Sequence, residues 1–165
     1  MSDLKLTLQQ ELPGDAETIE RLHERAFGPG RFARAAERVR EQATNAPRLS
    51  FVARVATLVV GSVLLTPIHI GETKALMLGP LAVEPAFRSR GIGRALLEKA
   101  IAEAEAQGYT AIMLVGDESY YGRMGFRRVP AGSIILPGPV DPMRVLLRTG
   151  SDEMRGAIKG LVRGG

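Results

Sequence analysis

The sequence predicts a single domain built on a mixed α/β sheet, and three observations carry that reading. From Ser50 to Val83 the apolar residues fall into strand-length runs joined by short turns, which makes antiparallel neighbours the natural arrangement. The run Ala75–Val83 is followed by the strongest helical pattern in the chain, Gly91–Gln107, and then by the apolar run Ala111–Val115. That is a strand–helix–strand crossover, and it implies parallel pairing. A length of 165 residues, 45% hydrophobic and 24% charged, suits one hydrophobic core. The expectation is a mostly antiparallel mixed sheet in one domain covering residues 1–165.

The elements follow in order. Leu4–Glu11 alternates Leu4, Leu6 and Leu8 with polar residues, the pattern of a half-buried strand. Pro13-Gly14-Asp15 breaks it, with Asp15 a good N-cap. Ala16–Phe27 is predicted as an amphipathic helix because Ile19, Leu22, His23 and Ala26 recur at helical spacing. Gly28-Pro29-Gly30 ends it, and a second helix is expected over Arg31–Thr44. Strands follow at Phe51–Val55, Leu58–Leu65 and Ala75–Val83, the last two joined through Gly71-Glu72-Thr73. Gly108 occupies the C-cap of the Gly91–Gln107 helix. Phe126–Val129 and Met143–Arg148 supply two further short strands, and Gly160–Gly165 is expected to fray.

Composition excludes several functions. The chain has no cysteine, so it holds no disulfide, no thiolate metal site and no cysteine nucleophile. His23 and His69 are not spaced as metal ligands, and no metal is expected. Met1–Leu6 lacks the basic and apolar regions of a signal peptide, and the longest apolar stretches are strand-sized. A cytoplasmic protein with no membrane partner is expected. The net charge of +4 and pI near 9.8 raise the question of nucleic acid. The arginines are however mixed with glutamates and lack interleaved aromatics, so no nucleic-acid partner is expected and an anionic small molecule accounts for the excess equally well.

The chemistry concentrates between Leu81 and Leu97. A strand ends near Val83, and Gly91 and Gly93 open the long helix after a short loop. Glycine lets a ligand approach the backbone, while the first helix amides have no intrahelical partner and face the positive end of the macrodipole. Together they make an anion site, to which Arg88, Arg90 and Arg94 add charge. The dinucleotide fingerprint fails because Leu96 stands where its third glycine belongs, and no Gly-Lys-Ser/Thr of a P-loop occurs. What remains is Arg-x-x-Gly-x-Gly, Arg88 to Gly93. Within the preceding strand, Pro80 cannot donate to a ladder, which points to a bulge or local parting of a central strand, or to the end of an edge strand.

With Leu81-Ala82-Val83-Glu84-Pro85, Arg88–Leu97 and Tyr121-Gly122-Arg123-Met124-Gly125-Phe126 in this order, the sequence resembles the GNAT superfamily of N-acetyltransferases. Within it, the chain is similar to small bacterial members with a Tyr-Tyr-Gly-x-x-Gly-Phe ending. The resemblance implies acetyl-CoA as the acyl donor and a splay between the fourth and fifth strands where it enters. It implies that Leu81, Ala82 and Val83 meet the pantetheine and thioester, and that Arg88, Ser89, Arg90, Gly91, Ile92, Gly93 and Arg94 hold the pyrophosphate. It also implies that Tyr121 protonates the departing sulfur, with Tyr120 as the competing candidate. A tyrosine keeps its proton at neutral pH, as that role requires. Glu84, Asp117, Glu118, Glu72 and His69 are the candidates for general base, and none stands out. The acceptor is expected to be an amine of a small molecule or a protein, bound by Asp15–Thr44 and by loops near Thr66–Thr73 and Leu136–Pro142. Family members are often dimers, so a homodimer is possible. A CoA-binding module without turnover is the competing function.

Overall fold

A computed structural model describes residues 5–27 and 49–164. The helix expected over Arg31–Thr44 and the Gly28-Pro29-Gly30 break lie outside the described residues.

Strand β1 spans Leu6–Gln10, and a single 3-10 turn at Pro13–Asp15 leads into helix α1, Ala16–Phe27. Asp15 was expected to cap α1, but its carboxylate turns back and accepts from the N–H of Leu12 at 2.9 Å. The 3-10 turn starts earlier than the helix, so the exposed amide the carboxylate reaches belongs to Leu12. The Asp15 carboxylate also takes a guanidinium hydrogen bond from Arg54, pinning the start of α1 to the sheet.

Strands β2 (Leu49–Val55), β3 (Leu58–Ile70) and β4 (Thr73–Val83) form an antiparallel meander. After one 3-10 turn at Pro85–Phe87, helix α2 runs from Ile92 to Ala106. It returns the chain to β5, Ile112–Val115, which pairs parallel with β4 as the crossover requires. The one-turn helix α3 covers Glu118–Tyr121, followed by β6 (Arg127–Arg128), β7 (Ile134–Ile135) and β8 (Val145–Arg148). Helix α4, Asp152–Ala157, has its N-terminus capped by the Ser151 side chain. The order across the sheet is β1-β2-β3-β4-β5-β8-β6.

The tail expected to fray is instead strand β9, Gly160–Gly164, which pairs with both β3 and β7. Its inward residue Val162 is 1% exposed, so burial against the sheet holds the segment that composition marked as loose. Gly160 and Gly71 let the two segments meet: a side-chain carbon on Gly71 would stand 2.3 Å from the Lys159 carbonyl oxygen.

Alternation along the strands sorts the core onto two faces. Phe51, Leu76, Leu78, Ile112 and Leu114 pack beneath the apolar side of α2, which contributes Leu96, Leu97, Ala100 and Ala104. On the opposite face, α1 sets Ile19 and Leu22 against Val52, Val59 and Ala82. Farther along that face, Met77 and Met113 lie beneath Val129, Leu136, Ile158 and Val162. No helix among the described residues is long and apolar enough to cross a membrane.

Candidate active site

The site begins with a defect in the sheet. From Val63 to Leu65, β3 advances by 2 residues, while its partner β4 advances by 3, from Leu81 to Leu78. The surplus residue falls at Gly79-Pro80, which realises the bulge suggested by Pro80. On the other side, β4 touches β5 at two register positions, Leu76↔Ile112 and Met77↔Met113, and the described strands part beyond them. This is the expected splay. Glu84 donates its N–H to the Val60 carbonyl at 2.8 Å, so alternation turns the N–H groups of Val83 and Leu81 away from β3 and into the gap. The side chain of Ala82 is buried under α1, whereas Leu81 and Val83 lean on the α2 core.

At the mouth of this gap lies the Arg88–Arg94 turn. Ser89 and Gly91 take left-handed backbone, with φ of 64° and 78°. Such residues turn successive amides inward to a common concavity. The first helical hydrogen bond beyond the turn runs from Ala95 N–H to the Gly91 carbonyl at 3.0 Å. The N–H groups of Ile92, Gly93 and Arg94 therefore lie outside the ladder. No side chain caps them, and no acid sits in the first turn. Around them Arg90 covers the Phe87 ring at 5.3 Å, and Arg94 is paired with Glu98 at 2.9 Å. Space above Gly91 is open, with no atom within 4 Å of where its Cβ would stand.

Both tyrosines reach this region from α3, but they are held differently. Tyr121 packs its ring on Gly116 and stands edge-on to Phe126 with centroids 6.2 Å apart. Burial first, and then the neighbouring Tyr120, push its phenol up to about 12. Tyr120 is 51% exposed and stands edge-on to Tyr121 at 4.8 Å. Its hydroxyl reaches across to the first turn of α2, 3.1 Å from where a Cβ on Gly93 would be.

The base candidates separate as well. Glu84 is gripped by Arg25 from α1, Asp117 by Arg144 at 3.1 Å, and Glu118 by Arg128 at 3.2 Å. The Arg128 N–H, donating to Glu118 at 2.9 Å, is the main reason that carboxyl lies below its ordinary range. Three carboxylates are thus committed to arginines. Glu72 and His69 sit by the β3–β4 turn, at the end of β4 remote from Val83. The loop at Leu136–Pro142 borders a cavity of about 250 Å³ lined by Val129, Ile134, Leu136, Val140 and Val145. That cavity and α1 lie on the same face of the sheet, opposite α2. The Thr66 hydroxyl is buried on this face without a hydrogen-bond partner.

A splayed parallel pair ending at an uncapped helix N-terminus narrows the comparison with known proteins. The model of the acetyltransferase (GNAT) family matches residues 16–126. The chain belongs to the acetyltransferase (GNAT) family. Among curated sequences, this GNAT chain is 32% identical over 129 residues to the uncharacterized N-acetyltransferase YjhQ of Escherichia coli strain K12, covering 76% of this chain and 71% of YjhQ. It is 26% identical over 163 residues to the uncharacterized N-acetyltransferase YhbS of the same strain, covering 95% of each. In fold it matches the crystal structure of E. coli YhbS in complex with CoA, with a TM-score of 0.77, 24% identity and coverage of 100% and 92%. A GNAT acetyltransferase of Brucella melitensis in complex with acetyl-CoA matches with a TM-score of 0.65, 29% identity and coverage of 87% and 96%. The enzyme class of the chain is accordingly that of an N-acyltransferase.

Three features of the GNAT site escaped the sequence. The Arg25–Glu84 pair joins residues 59 positions apart. The packing of Tyr121 on Gly116 and the reach of Tyr120 to Gly93 depend on how α3 is set across the gap. The doubled tyrosine was the available signal for the last two, but it carries no direction.

Proposed function

We propose that this GNAT domain moves an acetyl group from acetyl-CoA directly to a primary amine of a small molecule or a protein. One observation carries the reading: the β4–β5 gap, with the Leu81 and Val83 backbone turned into it, opens onto the uncapped N-terminus of α2. A donor with a thin thioester arm and an anionic end suits that shape. The CoA and acetyl-CoA held by the YhbS and Brucella melitensis structures support the choice of donor.

In this reading Arg88, Ser89, Arg90, Gly91, Ile92, Gly93 and Arg94 take the pyrophosphate, through amides and the helix dipole, with arginine charge around them. The pantetheine arm lies along β4 beside Leu81, Ala82 and Val83. Backbone N–H groups there polarise the thioester carbonyl, on which negative charge grows as the amine attacks; one such donor contributes about 3 kcal/mol. The new bond is C–N and the broken bond is C–S. The amine loses a proton, and the departing sulfur gains one.

Tyr121 is the group we assign to that exchange. At about 12 its phenol keeps its proton throughout the physiological range. Outright transfer to a free thiolate with a pKa near 8.5 would run uphill by about 3.5 pKa units. The hydroxyl therefore works as a relay: it hydrogen-bonds the sulfur as charge develops, and takes up the amine proton as it releases its own.

Calorimetric titration with acetyl-CoA, with adenosine 3′,5′-bisphosphate as a control, tests the donor. Saturable binding that is lost in Gly91→Glu is expected, because the new carboxylate would stand in the phosphate turn. Equal affinity in the variant would remove the assignment. Release of free CoA thiol over a panel of amines then separates turnover from mere binding.

A further inference from the structure

Tyr120 carries a hydroxyl for which the proton relay has no use. Its hydroxyl makes no hydrogen bond within the described residues, although its ring is fixed edge-on against Tyr121. A Cβ placed on Gly93 would lie 3.1 Å from that oxygen and 3.6 Å from Val83 Cγ2. The hydroxyl thus stands at the corner where the end of β4 meets the second residue of α2.

The backbone beside it is a row of donors. The Ile92, Gly93 and Arg94 amides are uncapped, and the turn that leads to them carries Arg88 and Arg90, with Arg94 paired to Glu98 at 2.9 Å. Phenol, amides and guanidinium groups can be satisfied together by a multi-oxygen anion, and a phosphate presents enough acceptors for all of them. A thioester or an amide arm, with one carbonyl at a time, does not.

Resting on the donor reading above, we propose that Tyr120 is a positioning residue for the acyl donor. Its hydroxyl donates a hydrogen bond to a pyrophosphate oxygen seated on the first turn of α2, closing the mouth of the cleft from the α3 side. The two tyrosines then divide the donor between them, Tyr121 acting at the sulfur and Tyr120 at the phosphate.

Tyr120→Phe removes the oxygen and leaves the exposed ring. The dissociation constant and KM for acetyl-CoA should both rise about tenfold, as for loss of a hydrogen bond to a charged acceptor, with kcat held. With S-acetylpantetheine, which lacks the pyrophosphate, kcat/KM should be the same in parent and variant. Unchanged affinity for acetyl-CoA would overturn the proposal. So would an equal loss with the truncated donor, or a fall in kcat at constant KM, which would move the proton relay to Tyr120. If the parent protein itself fails to bind acetyl-CoA, the donor reading falls. If the parent binds and the variant binds equally well, the role of Tyr120 alone falls.

Discussion

Arg25 holds Glu84 in a fork, its Nε and Nη2 both donating to Oε2 at 3.0 and 2.7 Å. One partner lies in the last turn of α1, on one face of the sheet. The other follows β4 and anchors its own N–H on Val60. The pair therefore ties a helix end to the strand end from which the Arg88–Arg94 turn departs. Because both side chains are partly exposed, solvent weakens it, and about 1 kcal/mol or less is expected. Arg25→Gln should lower the melting midpoint by about 2 °C, and the swapped pair Arg25→Glu with Glu84→Arg should recover most of that. A double-mutant cycle with no coupling would show the fork to be idle.

Tyr121→Phe should lower kcat about a hundredfold or more while acetyl-CoA binds as before. The pH profile gives an independent reading. A phenol raised to about 12 is protonated at every pH below that value, so it loses its proton only as pH approaches 12. The parent enzyme should show no descending limb from Tyr121 between pH 7 and 10. A limb near pH 9 that vanishes in Tyr121→Phe would show the phenol to titrate well below 12.

Gly116→Ala probes the seat of the same ring. The added carbon would lie 2.5 Å from Tyr121 Cε2 and 3.1 Å from Leu114 Cδ1, and a ring braced by Phe126 has little room to retreat. A loss of about 1–3 kcal/mol in stability is expected. The kcat should fall with it in protein that remains folded, as measured at a temperature well below the melting midpoint. Full activity would mean that the ring's position is not critical.

Asp15 supplies a pH test of stability. Its hydrogen bond from Arg54, then that from Leu12 N–H, hold the carboxyl below its ordinary range. A depressed carboxylate adds stability above its unfolded value near 3.9, and that stability is lost as pH falls through the folded value. Asp15→Asn should therefore cost about 1–2 kcal/mol in urea unfolding at pH 7. The gap between parent and variant should narrow below about pH 4. A gap with no pH dependence at all below pH 4 would assign the loss to shape and not to charge.

The parts of the fold that follow from local patterns were readable in the sequence. The helix expected at Ala16–Phe27 has those bounds, since Ile19 and Leu22 mark its inner side. The crossover through α2 follows from residues close together in the chain, and the turn that opens α2 was legible in Gly91 and Gly93. Features that need distant partners were not readable. β7 has two residues, and β9 is glycine-rich, so neither carries a period; β7 becomes a strand by meeting β9, and β9 by meeting both β7 and β3. Asp15 reads as a cap until Leu12 and Arg54 compete for it. Likewise Glu84, Asp117 and Glu118 look like open carboxylates in the sequence, and their arginines lie elsewhere in the chain.

The pairing of β3 has a bearing on how the chain is made. One edge of this 13-residue strand is covered first by β2, up to Leu65, and then by β9, from Ile68 to Ile70. Those two covers are separated by more than half of the chain. During synthesis β2 is already out when β3 emerges, whereas β9 leaves the ribosome after the eight other described strands. Until it does, the backbone of Ile68–Ile70 stands as a raw sheet edge, flanked by residues destined for burial. Open apolar edges are where separate chains zip together. Protein cut short before Gly160 would keep that edge permanently, and it should be lost to aggregates even though the β4–β5 gap and the α2 turn are encoded intact.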